Sequence, residues 1–532
     1  MTFLNGVKTS ESTDNSTTST LTTGGSGLTY TGTWEDVIEF SSIHLVIKSN
    51  VDSAAQGVHI QWSTDGSTVT KHVYRTYKSP GEFSEVFRRG SRHVRIVYTS
   101  SVDQSSFSLK MYKDVSTVGN SMHPQTIQLE AGAYDAFRRI RMTNPHTIWQ
   151  VSHNDDKQNE SISEKLENGA TATHNANESA VDMVTTTTAS SKSTRQSRMY
   201  MQYQPGKSFL ILATGVLNAN SNGVDCETRI GLFDDDNGVF FQYANGLGVT
   251  LRSKVTGSVV NNLVAQADWN YDTMDGNGVS GFSLDDTKAN IFAIDLAWLG
   301  VGDVRCCVLI NGKSHPVHIF RNANVNSTVY MSRAALPIRY QIENTATTNG
   351  VGTLKMICST VISEGGFESL GHPGAIALMN GEGISNVGTT LLPIVSIRLK
   401  SGFSRAIAKV FSVSLLSTTS NTNLVYEVWH FQGTSAFDPA TALTGESWTS
   451  AGPGLIVEYD RSATAITTTN GNRRYVGYVA NDLDAIEFAS DRVISLTSDI
   501  DDQRDIVVLA CMKINGTDDT VYGGLKWTEI HT

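Results

Sequence analysis

Charge is scarce in this chain, and positive charge is the scarcer kind. Only 17% of residues are Asp, Glu, Lys or Arg, with 41 Lys and Arg against 52 Asp and Glu, a net charge of −11. A globular chain usually carries about a quarter. A surface this short of cations has nothing to neutralise phosphates over a broad face, so no nucleic-acid partner is expected. Cysteine is also sparse. The five, Cys226, Cys306, Cys307, Cys358 and Cys511, form no C-x-x-C pair and are odd in number. That argues against a secreted disulfide scaffold and for buried thiols of a protein made in a reducing cytosol. No run of 18 apolar residues occurs, so no membrane insertion is expected. The opening "MTFLNGVKTSESTDNSTTSTLTTGGSG" has neither a basic start nor an apolar stretch of signal-peptide length, and no secretion signal is expected.

Catalytic signatures are missing too. There is no G-x-S-x-G, H-E-x-x-H or C-x-x-C pattern. Gly206-Lys207-Ser208 ends like a phosphate-binding loop, yet the position five before Gly206 is Met201 where the motif needs glycine. A phosphate loop opens a helix, whereas here Pro205-Gly206 is a turn dipeptide and Phe209-Leu210-Ile211-Leu212 reads as a buried strand. His315 and His318 are three apart, which on a strand sends them to opposite faces, and adjacent Cys306 and Cys307 split likewise. No metal, cofactor or catalytic residue is expected. Asp234, Asp235 and Asp236 lack the closing Glu of a calcium loop, and Asn237-Gly238 explains them as a hairpin tip. Calcium at that edge is left open. Asp285, Asp286, Asp501, Asp502 and Glu364 are candidates for glycoside hydrolysis only if two of them face each other across about 5–10 Å.

What is present in quantity is Ser, Thr, Asn and Gly around short apolar alternations, a composition for strands and tight turns. Ile43, Leu45 and Ile47 share one face; Val58, Ile60 and Trp62 share another. Asp65-Gly66 is a hairpin-turn pair, and further strands are expected at 72–77, 93–98 and 107–112. Asn237-Gly238, Asn245-Gly246, Asp275-Gly276 and Asn311-Gly312 are candidate type I′ turns. "NIFAIDLAWLGVGDVRCCVLING" reads as two buried strands joined at Gly300-Val301-Gly302. Ala180, Asp182 and Val184 alternate with Val181 and Met183, which allows a strand with one wet face inside a polar stretch. "LPIVSIRLK", "KVFSVSLLST", "LVYEVWHFQG" and "IVVLACMKING" continue the style to the C-terminus.

The expected fold is all-β: tandem β-sandwich or jelly-roll domains behind a polar N-terminal arm. The divisions are 1–27 for the arm, 28–115 for a sandwich, 116–130 for a connector, 131–366 for a jelly roll and 367–532 for a C-terminal sandwich. The arm, nearly all Ser, Thr, Gly and acid over 8–27, cannot bury enough surface to fold alone. Phe3, Leu4 and Val7 at its start are candidate anchors against another subunit. The dense basic runs, Arg88, Arg89, Arg92 and Arg95 in "RRGSRHVR" and Arg138, Arg139 and Arg141 in "FRRIR", form a candidate contact patch. It suits a phosphate, an anionic glycan or an acidic neighbouring subunit. Trp149, Trp429 and Trp448 could stack on sugar rings or fill the cores.

Three stretches are familiar together. "NSTTSTLTTGGSGLTYTGTWEDVIEFSSIHLVIKSNVDSAAQGVHIQWSTDG" resembles an N-terminal module of tailed-bacteriophage virion proteins. "YQPGKSFLILATG", "WLGVGDVRCCVLING" and "LPIRYQIENT…MICSTVISEGG" resemble the jelly-roll module that accompanies it, and "VSLLSTTSNTNLVYEVW" resembles the third part. The resemblance implies a non-enzymatic structural protein of the virion, of the tail, fibre, baseplate or head-fibre type, made in the host cytoplasm. Its implied partners are other virion proteins and further copies of itself, with a trimer as one form. The alternative is a glycan-binding or glycan-depolymerising receptor protein at a fibre tip, with a host-surface glycan as partner.

Overall fold

A computed structural model describes residues 2–4, 7–25, 27–114, 145–221, 223, 225–368, 371–418, 422–480, 483–487 and 493–530. Among them there is no α-helix; strands are joined by turns and two short 3₁₀ segments, Gln266–Asp268 and Pro439–Ala442. The fold is all-β. The chain divides into two compact units, Met1–Ile127 and Gln128–Thr532.

The first unit is a sandwich of two five-stranded sheets. In one, Ser42–Ser49 lies between Phe107–Asp114 and Glu82–Arg88; in the other, His93–Ser100 lies beside Ser53–Ser63. The alternation seen in the sequence is what closes it. Ile43, Leu45 and Ile47 are fully buried, and so are Val58 and Ile60 on the facing sheet, with Trp62 almost so. Tyr98 and Phe107 meet between the sheets with ring centroids 4.7 Å apart. The hairpin at Asp65-Gly66 is held by Asp65, whose Oδ1 accepts from Ser67 N and Thr68 N, each at 2.8 Å. The Glu82–Arg88 strand was not anticipated, because the charged Glu85 stands on the same face between Phe83 and Phe87 while apolar Val86 is exposed on the other.

The polar N-terminal segment is not an arm beside this sandwich but part of it. Val7–Glu11 pairs with Phe107–Asp114, and Thr17 and Leu109 exchange both backbone hydrogen bonds at 2.8 Å. Leu21 is in the core, and fully buried Asn15 accepts from Ile96 N at 2.8 Å and donates to Thr33 O at 3.1 Å. Composition alone misjudged the segment, because an existing sheet edge supplies the hydrogen-bond partners that Ser and Thr cannot supply for themselves.

The second unit holds two sandwiches in series. Residues 146–363 form an eight-stranded and a seven-stranded sheet around one apolar core, and residues 372–530 form two six-stranded sheets around another. Phe209–Val216 is central in the eight-stranded sheet, between Asn290–Leu296 and Thr353–Ser363, so "GKS" does precede a buried strand. Asn290–Leu296 and Val304–Ile310 pair as expected across Gly300-Val301-Gly302. The stretch with a linker's composition is a hairpin, Thr171–Asn175 with Ala180–Val184, and Val181 and Met183 point into the core.

Of the four proposed type I′ turns, one has the geometry. Ile310 pairs with Lys313, leaving Asn311 and Gly312 at φ 53° and 74°. Asn237-Gly238 differs: Phe233 pairs with Gly238 across a four-residue turn, and Gly238 has φ 142°. Asn245-Gly246 belongs to a three-residue loop between Tyr243 and Leu247. At Asp275-Gly276 the residues with positive φ are Met274 and Gly276.

Candidate functional site

The acid-rich turn of residues 234–237 sits where the two sandwiches of the second unit meet, and its acids are already matched to cations. Asp234, 1% exposed, folds back on its own turn: Oδ1 accepts from Asp236 N at 2.9 Å and Asn237 N at 2.8 Å. Its Oδ2 lies 3.2 Å from Nη2 of Arg405, which comes from the C-terminal sandwich, yet makes no hydrogen bond. Asp236 takes Lys254 at 2.9 Å and Arg405 at 3.4 Å; Asp235 takes Arg339 at 2.6 Å. Burial opposes the charge on Arg405, but Asp234, Tyr200 and Asp236 outweigh it and raise its pKa. Lys254 and Arg405 together hold the Asp236 carboxyl below its ordinary value. Among the described residues no group of three or more His, Cys, Asp or Glu could hold a metal ion. The open calcium site is occupied by guanidinium and ammonium groups.

Behind the turn, the seven-stranded sheet turns a polar face away from its core. Arg339 is sealed there, donating to Gln196 Oε1 at 2.8 Å with its guanidinium 5.5 Å from the Phe233 ring. Arg252 lies 5.1 Å from Phe240, and burial beside Arg229 lowers its pKa to about 10. The Phe233 and Phe240 rings pack against these arginines, and Arg339 in turn holds Asp235.

Around the turn opens a cleft of about 450 Å³ lined by Tyr200, Gln202, Asp234, Asp235, Arg333, Arg339, Phe403, Arg405 and Asp502, among others. Four loops build it, each pinned locally. Ser332 donates to Asn237 Oδ1 from its N (3.0 Å) and Oγ (3.1 Å), which sets the loop carrying Arg333 against the acid turn. Gly402, at φ 86°, and the Ala406 N to Phe403 O bond of 2.9 Å shape the loop that presents Phe403 and Arg405. Asp499 Oδ1 accepts from Asp501 N at 2.9 Å and Gln503 N at 2.7 Å, holding the turn in which Asp502 adopts φ 61°. Gln202 Nε2 donates to Arg405 O at 3.2 Å across the junction.

The same junction contains a sealed ion pair. Arg198 Nη2 is 2.7 Å from Asp505 Oδ1, with side chains 4% and 0% exposed. Asp505 also accepts from Gly433 N at 3.0 Å, Thr497 N at 3.0 Å and Thr497 Oγ1 at 2.7 Å. Lys165 and Asp501 pair at 2.6 Å, and Ile500 N donates to Ser163 Oγ at 3.0 Å.

The candidates from the sequence fall as follows. Asp501 is tied to Lys165, Glu364 accepts from Ser208 Oγ at 2.8 Å, Asp285 caps its own loop through Thr287, and Asp286 accepts from Asn218 at 3.2 Å. Only Asp502 of that set lines the cleft. His315 packs edge-on to Phe282, and His318 Nδ1 accepts from Asn270 N at 3.3 Å. Trp149 belongs to a core; Trp429 and Trp448 are partly buried, Trp429 donating to Glu427 at 2.7 Å and Trp448 lying under Arg398 at 4.0 Å. None of the three is an open sugar platform. None of the five thiols is in a disulfide, and burial pushes Cys226 up to about 11 and Cys511 to about 12, so both pack as neutral groups.

The basic run is spread around the rim of the first unit rather than gathered. Arg88 ends a strand of one sheet, while Arg95 lies on the other, bonded to Gln61 at 2.7 Å and set 4.5 Å from the Trp34 ring. Arg92 pairs with Asp36 at 2.9 Å, and Arg89 donates to Ile38 O. Arg138, Arg139 and Arg141 lie outside the described residues. Phe3 and Leu4 lie in a strand paired with Val7–Glu11, and the side chains of Phe3, Leu4 and Val7 are outside the described ones. The cleft itself had no signature in the sequence beyond the three aspartates.

No family model and no curated protein matches the chain. Solved structures match parts of it. An endo-1,3-beta-glucanase from Streptomyces sioyaensis is 7% identical, with 42% of this chain and 97% of that one covered at a TM-score of 0.31. Lectin II from Ulex europaeus is 10% identical over 41% and 99%, TM-score 0.26. The PBSX exported protein XepA is 10% identical over 66% and 86%, TM-score 0.17.

Proposed function

We propose that this chain is a non-enzymatic structural component of a tailed-bacteriophage particle, of the tail, fibre or baseplate type, working as a homo-oligomer in particle assembly and host attachment. The observation that carries the reading is the junction of the second unit. Two complete sandwiches are joined there by a sealed ion pair and by Arg405 seated on the acid turn. A pair buried this deeply holds only one geometry, because any other arrangement strands a charge out of water. Such a joint makes the two sandwiches one stiff body, which suits a part that must transmit force and hold register with its neighbours. The non-enzymatic half rests on the carboxylates, since Asp285, Asp286, Asp501 and Glu364 are each committed to bonds that shape the fold.

The test is particle composition. Purified particles of the phage that encodes this chain should contain it in stoichiometric amount, and particles assembled without it should lose infectivity. Absence from such particles, or cleavage of host polysaccharide by the purified chain, would overturn the reading.

A further inference from the structure

The cleft between the two sandwiches has features that a joint does not need. Arg333 is exposed and has no ion-pair partner among the described residues, and Asp502 at the opposite sandwich is likewise exposed without one. Both line the same opening, together with the Phe403 ring, which is 39% exposed. Every loop presenting these groups is braced by hydrogen bonds of its own, so the opening is formed in advance.

The charge pattern selects among ligands. The lining carries three carboxylates, Asp234, Asp235 and Asp502, and three guanidinium groups, Arg333, Arg339 and Arg405. A phosphate would meet the acids, and a polycation would meet the arginines. A hydroxyl both donates and accepts, so neighbouring hydroxyls can satisfy a carboxylate and a guanidinium side by side. A half-exposed aromatic ring offers the apolar surface on which the C–H face of a pyranose packs. We infer that this cleft binds an uncharged, hydroxyl-rich saccharide, with Arg333 and Asp502 taking hydroxyls and Phe403 taking a ring face. The site is independent of whether the chain belongs to a phage particle.

The experiment uses the full chain. Linear neutral oligosaccharides of glucose, galactose and mannose are titrated by calorimetry and by saturation-transfer NMR, with inorganic phosphate and an oligo-uronate as competing arms. Saturable binding of a neutral oligosaccharide is expected. It should weaken about tenfold or more in Arg333→Ala and in Phe403→Ala. Arg333 is exposed and makes no ion pair among the described residues, so Arg333→Ala should keep the thermal midpoint of the parent, and a thermal melt of Phe403→Ala separates lost binding from lost folding. The inference is overturned if no neutral oligosaccharide saturates, if phosphate or oligo-uronate alone binds, or if both variants bind as the parent does. A negative result here with the chain present in particles would remove the site and leave the particle reading standing.

Discussion

Arg198 and Asp505 form a 2.7 Å ion pair between two sandwiches, with neither side chain reaching water. The two ends are not equally replaceable. Asp505 receives three further hydrogen bonds from Gly433 and Thr497, whereas Arg198 Nε has no partner. Asp505→Ala should therefore destabilise the second unit by about 3–5 kcal/mol. Arg198→Ala should cost less, because the carboxylate it abandons keeps its other donors. Denaturant unfolding of the two variants checks the order; equal losses would mean that the Thr497 and Gly433 bonds contribute little.

Two acids in the same junction respond to pH in opposite senses. Burial would raise the Asp505 pKa, but Arg198 and the His430 and Thr497 contacts outweigh it, and the pKa is lowered. Its contribution is therefore fully present above the unfolded-chain value of about 3.9 and is lost as pH falls through the lower folded value. Asp499 is raised, chiefly by burial. Its folded form prefers the proton, so it favours the fold in acid and opposes it once pH rises through the folded value. Asp505→Asn should be weaker than the parent near neutral pH and converge on it well below about pH 3.9. Asp499→Asn keeps an oxygen for the Asp501 and Gln503 amides and should match or exceed the parent near neutral pH. Urea midpoints across that pH range decide both; a parallel offset at every pH would show that charge is not the cause.

The acid turn should be indifferent to calcium. Asp234, Asp235 and Asp236 already face Arg405, Arg339 and Lys254. Millimolar calcium or EDTA should leave the thermal midpoint where it is. Arg405→Ala, which leaves the buried Asp234 carboxylate without its cation, should cost about 1–3 kcal/mol. A clear calcium-dependent rise in the midpoint of the unaltered protein would mean that the cations are displaced by the metal.

How far the sequence reached depended on the range of the interaction. Alternation placed Ile43, Leu45 and Ile47 correctly, because a strand's two faces are set by neighbours two residues away. Asn311-Gly312 was legible for the same reason. At Asn237-Gly238 the same dipeptide gave a different turn, because Asn237 Oδ1 is claimed by Ser332 and Lys254 N from far along the chain. The cleft was invisible: its walls come from residues as far apart as Tyr200 and Asp502, and only tertiary packing brings them together. The partner of Asp234 is likewise some 170 positions away, so three adjacent aspartates could be read only as a tip or a metal loop. The tryptophans could be read as platforms or as core, because the sequence carries aromatic type but not burial.

The N-terminal segment gives the sharpest test of that correction. Its composition suggests that residues 2–27 can be removed without harm, and the structure says otherwise in a graded way. Residues 2–9 contribute one short hairpin and a single pair, Thr9 with Asp114, at the edge of Phe107–Asp114. Residues 10–25 contribute Leu21 to the core, the Thr17–Leu109 bridge, and Asn15, which is buried and bonded to both Ile96 N and Thr33 O. Gly32 leaves room for that asparagine: a Cβ there would stand 2.2 Å from Asn15 Oδ1. Deleting 2–9 should lower the stability of the first unit only slightly. Deleting 2–27 should destabilise it severely, since it exposes core around Leu21 and strands the Ile96 amide. Asn15→Ala alone should cost about 1–3 kcal/mol by leaving that buried amide unpaired. Thermal melts and hydrogen exchange at Ile96 and Leu109 report directly on this unit. If the 2–27 deletion melted as the full chain does, with both amides still protected, the segment would be an appendage after all.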